Sequence, residues 1–261
     1  MAKTSPSLVS SLLKEIRAGL EARADEKTRL AVIAAQPKSS VKALGVKPSF
    51  IRSIARDVVS KARPAVNYAT ALALVDAAVA RRTREEILVA VEILERFRRD
   101  FGASLFAHLE RWSAAAEDLE VAGALGGRIA APVLAKEPAR MASVKKWARL
   151  KSVGKRRLAV LSASGLVTDG RREAGLVLEM CEHLLHEDNP ALVSDVAGLL
   201  RDTTKVDAKA VQDFLFRRSV DGNPDILRAG SENLDAARRA ALIAKLEAQA
   251  GVPASLAAAE R

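Results

Sequence analysis

Apolar side chains return every third or fourth residue over long stretches of this chain, and that spacing leaves room for little except amphipathic α-helices. It is clearest over Ser7–Leu20, Phe50–Ala62, Arg84–Asp100 and Arg172–Leu185. In the third stretch Ile87, Val91 and Leu94 form the buried stripe. Thr83 and Glu86 have the spacing of a capping box, and Arg96, Arg98 and Arg99 suit the negative end of a helix that stops by Gly102. Asn189 before Pro190 predicts an N-cap and a first-turn proline, opening a helix whose apolar face is Leu192, Val196, Leu199 and Leu200. Composition supports the same class. Hydrophobic residues make up 49% of the chain and aromatic residues only 3%, so good helix formers carry the apolar content.

At 261 residues the chain can bury a sizeable core without disulfides or metals. Its single cysteine, Cys181, cannot form an internal bridge, which favours a reducing compartment. The chain shows neither a membrane-spanning stretch nor a full signal sequence, so a soluble cytoplasmic protein, nucleoid-associated when bound to DNA, is expected. Helix starts near Arg140, Arg172 and Ala208 recur at 32 to 36 residues. That period predicts HEAT-like helical hairpins stacked as a curved solenoid with a concave basic face over residues 1–220. Residues 221–261 are read as a C-terminal helical extension on the same domain. A compact helical bundle is the alternative, disfavoured by length.

The charge is unevenly placed. The chain holds 42 basic and 32 acidic residues, a net +10. Residues 1–64 contain 13 basic and 5 acidic side chains, residues 138–172 contain ten and one, and the remainder is faintly acidic. Two concentrated blocks suggest two surfaces flanking one groove for a polyanion, with solvated helix faces as the alternative. The densest piece, Met141–Arg157, carries Lys145, Lys146, Arg149, Lys151, Lys155, Arg156 and Arg157 with no acid among them. Met141, Val144 and Ala148 make a buried stripe there, and Lys145, Lys146 and Arg149 share another face. Phosphate contact is the simplest use for so many cations without acids in their own segment. In the first block Arg52 and Arg56 lie one helical turn apart, with Ile51, Ile54 and Ala55 on the buried side, so Lys47, Arg52 and Arg56 are expected to face the same ligand.

Other chemistry finds little support. His183 and His186 beside Cys181 and Glu182 read as core plus surface rather than a metal site. Gly123–Arg128 lacks the Gly-Lys-Ser/Thr of a phosphate loop, and no Gly-x-Ser-x-Gly elbow occurs. No metal or other cofactor is expected. Trp112 and Trp147 are read as core, and with so few aromatics a stacking platform for single strands is disfavoured. What survives is backbone reading of a duplex with low sequence specificity.

Four stretches, in order, resemble one family. Gly45-Val46-Lys47-Pro48-Ser49-Phe50-Ile51-Arg52-Ser53-Ile54-Ala55-Arg56 is similar to the Gly-Val, Pro, Ile-Arg, Ile-Ala-Lys segment of the bacterial DNA alkylation repair family, the AlkD-like glycosylases built from HEAT-like repeats. Leu109-Glu110-Arg111-Trp112 through Gly127-Arg128 resembles that family's central helix pair, and Trp147 through Arg156-Arg157-Leu158-Ala159-Val160 its basic helices. Val196-Ala197-Gly198-Leu199-Leu200-Arg201-Asp202 resembles its I-G-W-x-L-R-E segment. The likeness covers about residues 8 to 220.

The resemblance implies a basic concave face that holds duplex DNA and excises cationic N3- or N7-alkylated purines. It also implies a cleft tryptophan and, four residues on, a catalytic aspartate. Aligning on Trp112 puts these at Ala116 and Glu120; aligning on Leu125-Gly126 puts them at Ala114 and Asp118. Both registers keep an acid and lose the tryptophan. A second cleft tryptophan falls on Gly198 or Leu199, and the family's cleft arginine on Arg157. Without two aromatic faces for the alkylated base, worth roughly 0.5 to 2 kcal/mol each, glycosylase activity is expected to be weak. The expected partner is double-stranded DNA, with the protein a monomer. A protein-binding helical scaffold and a competent glycosylase using Glu120 or Asp118 are the competing classes, and Glu117, Asp118 and Glu120 as ordinary surface acids the plainest reading.

Overall fold

The computed structural model describes residues 6–37, 39–168 and 174–249. All regular structure among them is helical apart from one isolated parallel bridge between Lys42 and Thr83. The helices are α1 (Pro6–Glu21), α2 (Glu26–Ala35), α3 (Pro48–Lys61), α4 (Tyr68–Arg81), α5 (Arg84–Glu95), α6 (Leu105–Trp112), α7 (Leu119–Gly123), α8 (Ala131–Lys136), α9 (Met141–Ala148), α10 (Val153–Thr168), α11 (Ala174–Glu182), α12 (Pro190–Thr204), α13 (Ala208–Arg218), α14 (Pro224–Gly230) and α15 (Ala236–Gln249). A 3₁₀ turn, Ser113–Glu117, precedes α7, and a π-helical stretch, Ala124–Ala130, joins α7 to α8.

Packing places these helices in two rows. In one, α1, α3 and α5 lie side by side, the π stretch follows α5, and α10, α12 and α14 continue it. In the other, α11, α13 and α15 touch in succession. Polar contacts repeat with the same spacing: Trp112 with Asp76, Arg128 with Glu95, Lys145 with Glu179 and Arg157 with Asp195 are 33 to 38 residues apart. Each links two helical elements that are not consecutive in the chain.

Several local expectations hold. Asn189 caps α12, its Oδ1 accepting from the Ala191 and Leu192 amides, and Leu192, Val196, Leu199 and Leu200 are buried. Trp112 and Trp147 are core residues, their indole N–H groups donating to Asp76 and Glu110. Arg171 and Arg172 lie outside the described residues, so the fourth predicted helix is seen as α11, from Ala174.

Helix α5 departs from its predicted form. It ends at Glu95, short of Gly102, because the chain turns through a short 3₁₀ segment, Arg98–Asp100. It has no capping box. Thr83 makes no side-chain cap bond, and Glu86 instead meets Arg17 and Arg81 at 3.5 and 3.4 Å. Nor is α5 amphipathic: it is buried on nearly every side, Arg84, Glu85 and Glu86 included. The run Ile87-Leu88-Val89-Ala90-Val91, apolar all round, is the mark of such a central helix.

Candidate functional site

The first turn of α5 organises the region where the candidate residues gather. Glu85 is fully buried and accepts from the amides of Leu44 and Gly45 at 2.9 Å and of Val46 at 3.4 Å. It thereby holds the turn that starts α3. Gly45 is required there, since its φ is +81° and a Cβ would lie 2.4 Å from the Asp25 carbonyl oxygen. The neighbouring Arg84, only 5% exposed, reaches the other way: its Nε lies 3.2 Å from Asp118 and its Nη2 2.8 Å from Glu120.

The two candidate acids therefore differ. Asp118 is buried and occupied as the N-cap of α7, accepting from the Glu120 and Val121 amides at 3.0 and 3.1 Å as well as from Arg84. Glu120 keeps 45% of its side chain exposed and lines an open pocket of about 400 Å³ with Ile51, Arg52, Leu88, Glu92, Glu95 and Arg128. Arg128 pairs with Glu92 and Glu95, and the lining contains no aromatic ring. Of the two positions where the registers would set a tryptophan, Ala116 is buried and Ala114 exposed. Neither register thus brings both its acid and its wall position to the surface.

The segment bearing these acids is held from both basic blocks. On one side Ser40 donates to Glu117 at 2.6 Å, and Gln36 accepts from the Leu119 amide at 2.6 Å. On the other, Arg157 donates to the Glu117 carbonyl at 2.5 Å. Gly154 lets α10 come this close, because a Cβ there would lie 2.0 Å from the Ser113 carbonyl oxygen. Arg157 is 1% exposed and gives its Nε to Asp195 at 2.6 Å. Burial pushes the Asp195 carboxyl above its ordinary range, and Arg157 pulls it back down. Arg157 acts through what it holds, with its guanidinium out of reach of solvent.

The basic residues divide in two. Lys47, Arg52 and Arg56 are exposed, Ile51, Ile54 and Ala55 are buried beneath them as the spacing predicts, and none of the three cations has an ion pair among the described residues. The second block does not form one continuous helix; it turns a corner between α9 and α10. Several of its cations are paired after all, with groups of α11 and the loop after it: Lys145 with Glu179 at 2.5 Å, Arg156 with Glu187 at 2.6 Å, and Arg149 with His183 at 2.6 Å. The Lys145 hydrogen bond holds Glu179 below the usual carboxylate range. Lys146, Lys151 and Lys155 remain without an ion pair among the described residues. Sequence reading missed Arg84, Glu85, Arg128 and Asp195. For Arg84, Arg128 and Asp195 the available signal was an opposite charge 33 to 38 residues away; Glu85, which binds backbone amides, left none.

The family model described as DNA alkylation repair enzyme matches residues 16–234. The chain belongs to that family. A solved structure described as a predicted DNA alkylation repair enzyme from Enterococcus faecalis is similar in fold, with a TM-score of 0.66, 12% identity, and coverage of 82% of this chain and 98% of that one. No curated protein matches the sequence significantly. Membership in the DNA alkylation repair family makes DNA the expected substrate or partner and a repair-like role the general function. No described helix is long and apolar enough to cross a membrane.

Proposed function

We propose that this DNA alkylation repair family member grips duplex DNA by its phosphates and releases alkylated purines slowly, with Glu120 as the carboxylate that stabilises positive charge developing on the sugar. The observation that carries this reading is the position of Glu117–Glu120 between the two basic blocks, with Glu120 open at a pocket edge beside Arg52. Lys47, Arg52, Arg56, Lys146, Lys151 and Lys155 supply the phosphate contacts in this scheme. Lys145, Arg149 and Arg156 would first have to leave their present partners. Asp118 and Arg157 act as positioning residues, one capping the helix that presents Glu120 and the other fixing the turn before it. The rate is slow because no ring lines the pocket to hold a cationic base.

The test is single-turnover release of 7-methylguanine or 3-methyladenine from methylated duplex DNA. Slow release is expected, lowered by about 10² to 10⁴ in Glu120→Gln, as for loss of a positioned acid or base. Duplex affinity should be unchanged in that variant. Rapid release by the unaltered protein would refute the inference from the missing aromatic walls, and release indifferent to Glu120→Gln would remove the carboxylate from its role.

A further inference from the structure

Glu120 sits on an element that cannot hold it still. Helix α7 has five residues, too few to be stable by itself, and its neighbour across the Gln36–Leu119 hydrogen bond, α2, buries no side chain. A glutamate 45% exposed on such a helix would sample several rotamers and point into water for part of the time. Its carboxylate is nonetheless engaged. Arg84 Nη2 lies 2.8 Å from Glu120 Oε1, and this is the one ion pair that Glu120 makes among the described residues.

Arg84 is placed to do this firmly. It is the first residue of α5, its amide donates to the Lys42 carbonyl at 2.8 Å, and its side chain is buried, whereas Arg52 across the pocket is exposed. The guanidinium faces three acids, with Glu85 at 3.7 Å, Asp118 at 3.2 Å and Glu120 at 2.8 Å. Two of the three have other donors: Glu85 binds the amides of Leu44 and Gly45, and Asp118 those of Glu120 and Val121. Glu120 depends on Arg84. A permanently charged planar fork on a packed helix suits the fixing of a carboxylate by one oxygen, and with Oε1 taken, Oε2 is left for the pocket that Glu120 lines. One cation among three carboxylates also keeps the group net negative, as stabilisation of a cationic sugar requires.

We propose that Arg84 is a positioning residue for base release, acting through Glu120 and touching neither base nor phosphate itself. This rests on the reading of Glu120 above and adds to it the group that sets the carboxylate's geometry. Misplacement of a reacting group by about 1 Å costs up to about 10²-fold in rate.

Single-turnover release of 7-methylguanine from methylated duplex DNA, followed over a range of protein concentrations, separates the limiting rate from the half-saturating concentration. Arg84→Lys keeps a charge for the buried acids but lacks the fork that reaches Asp118 and Glu120 together. Its limiting rate should fall by about 10- to 100-fold, with the half-saturating concentration unchanged. A fold merely weakened would do the opposite, raising the concentration needed and sparing the limiting rate. In a Glu120→Gln background the same substitution should cost nothing further, because the two residues act as one unit. Glu120→Asp leaves the core untouched, keeps the acid but draws it off Arg84, and should lose a similar factor. Three results would overturn the proposal: an undiminished limiting rate in Arg84→Lys, an equal fall on top of Glu120→Gln, or undiminished release by Glu120→Asp. If the unaltered protein releases no base, or Glu120→Gln releases it just as fast, the carboxylate reading itself fails, and the role of Arg84 with it.

Discussion

Replacing Arg157 with methionine removes a charge while keeping most of the volume, and its cost follows from what is left behind. Asp195 has a side-chain exposure of 3%, and Arg157 is its ion-pair partner. Breaking a buried pair from one side typically costs about 3 to 5 kcal/mol, because the remaining charge is neither solvated nor neutralised. The Glu117 carbonyl also loses its donor. With a urea dependence of about 3 kcal/mol per molar for a chain of this size, the unfolding midpoint at pH 7 should fall by roughly 1 to 1.7 M. The sign of the pH dependence is fixed. The Asp195 carboxyl is already raised by burial, with Arg157 opposing that rise, so without Arg157 it rises further. A group raised in the folded state costs stability above its folded pKa, and the cost shrinks as pH falls and the folded carboxyl takes up its proton. The variant's deficit should therefore be largest near neutrality and smaller toward pH 5. Adding Asp195→Leu should recover most of the loss at pH 7. A deficit below about 1 kcal/mol, or one independent of pH, would refute the assignment of Arg157 to the buried pair.

Duplex affinity should show a log-log salt slope near roughly −5 if about six phosphates are neutralised, and charge reversal at Lys146, Lys151 and Lys155 should weaken binding more than reversal at the paired Lys145 and Arg156. Cys181, fully buried with its thiol pushed up to about 12, should resist a disulfide reagent at pH 8 in the native protein and react once urea unfolds it. Gly154→Ala should destabilise by about 1 to 3 kcal/mol, because the backbone of α10 must move off Ser113. Gly123→Ala, with open space at its Cβ, should instead stabilise by roughly 0.5 to 1 kcal/mol in a thermal melt.

Much of the helical order was legible because its cause is local. The stripes of α1, α3 and α12 and the Asn189 cap depend on residues within a few turns of one another. The charge pairing was not, since Lys145 finds Glu179 on another helix 34 residues on, and a search within one helix cannot see it. The candidate carboxylate stayed ambiguous for a different reason. Between Trp112 and Leu125 the chain passes through a 3₁₀ turn, a short α-helix and the start of a π-helix. The two anchors at its ends, Trp112 and Leu125-Gly126, set registers two residues apart, and neither anchor takes precedence in the sequence. Burial separates Asp118 from Glu120 where spacing could not.

The adjacent Arg84 and Glu85 give α5 a mechanical consequence. Arg84 clasps the acids around α7 and Glu85 the amides that begin α3, so the pocket's two walls share a single anchor within a fully packed helix. Neither wall can swing away alone without exposing a buried charge. The amides of Gly45, Val46 and Val121 should therefore exchange with solvent deuterium as one cooperative unit, at rates set by the opening of the core, while those of α2 exchange quickly beside them. Such a protein would present DNA with a rigid jaw and a pliant lip.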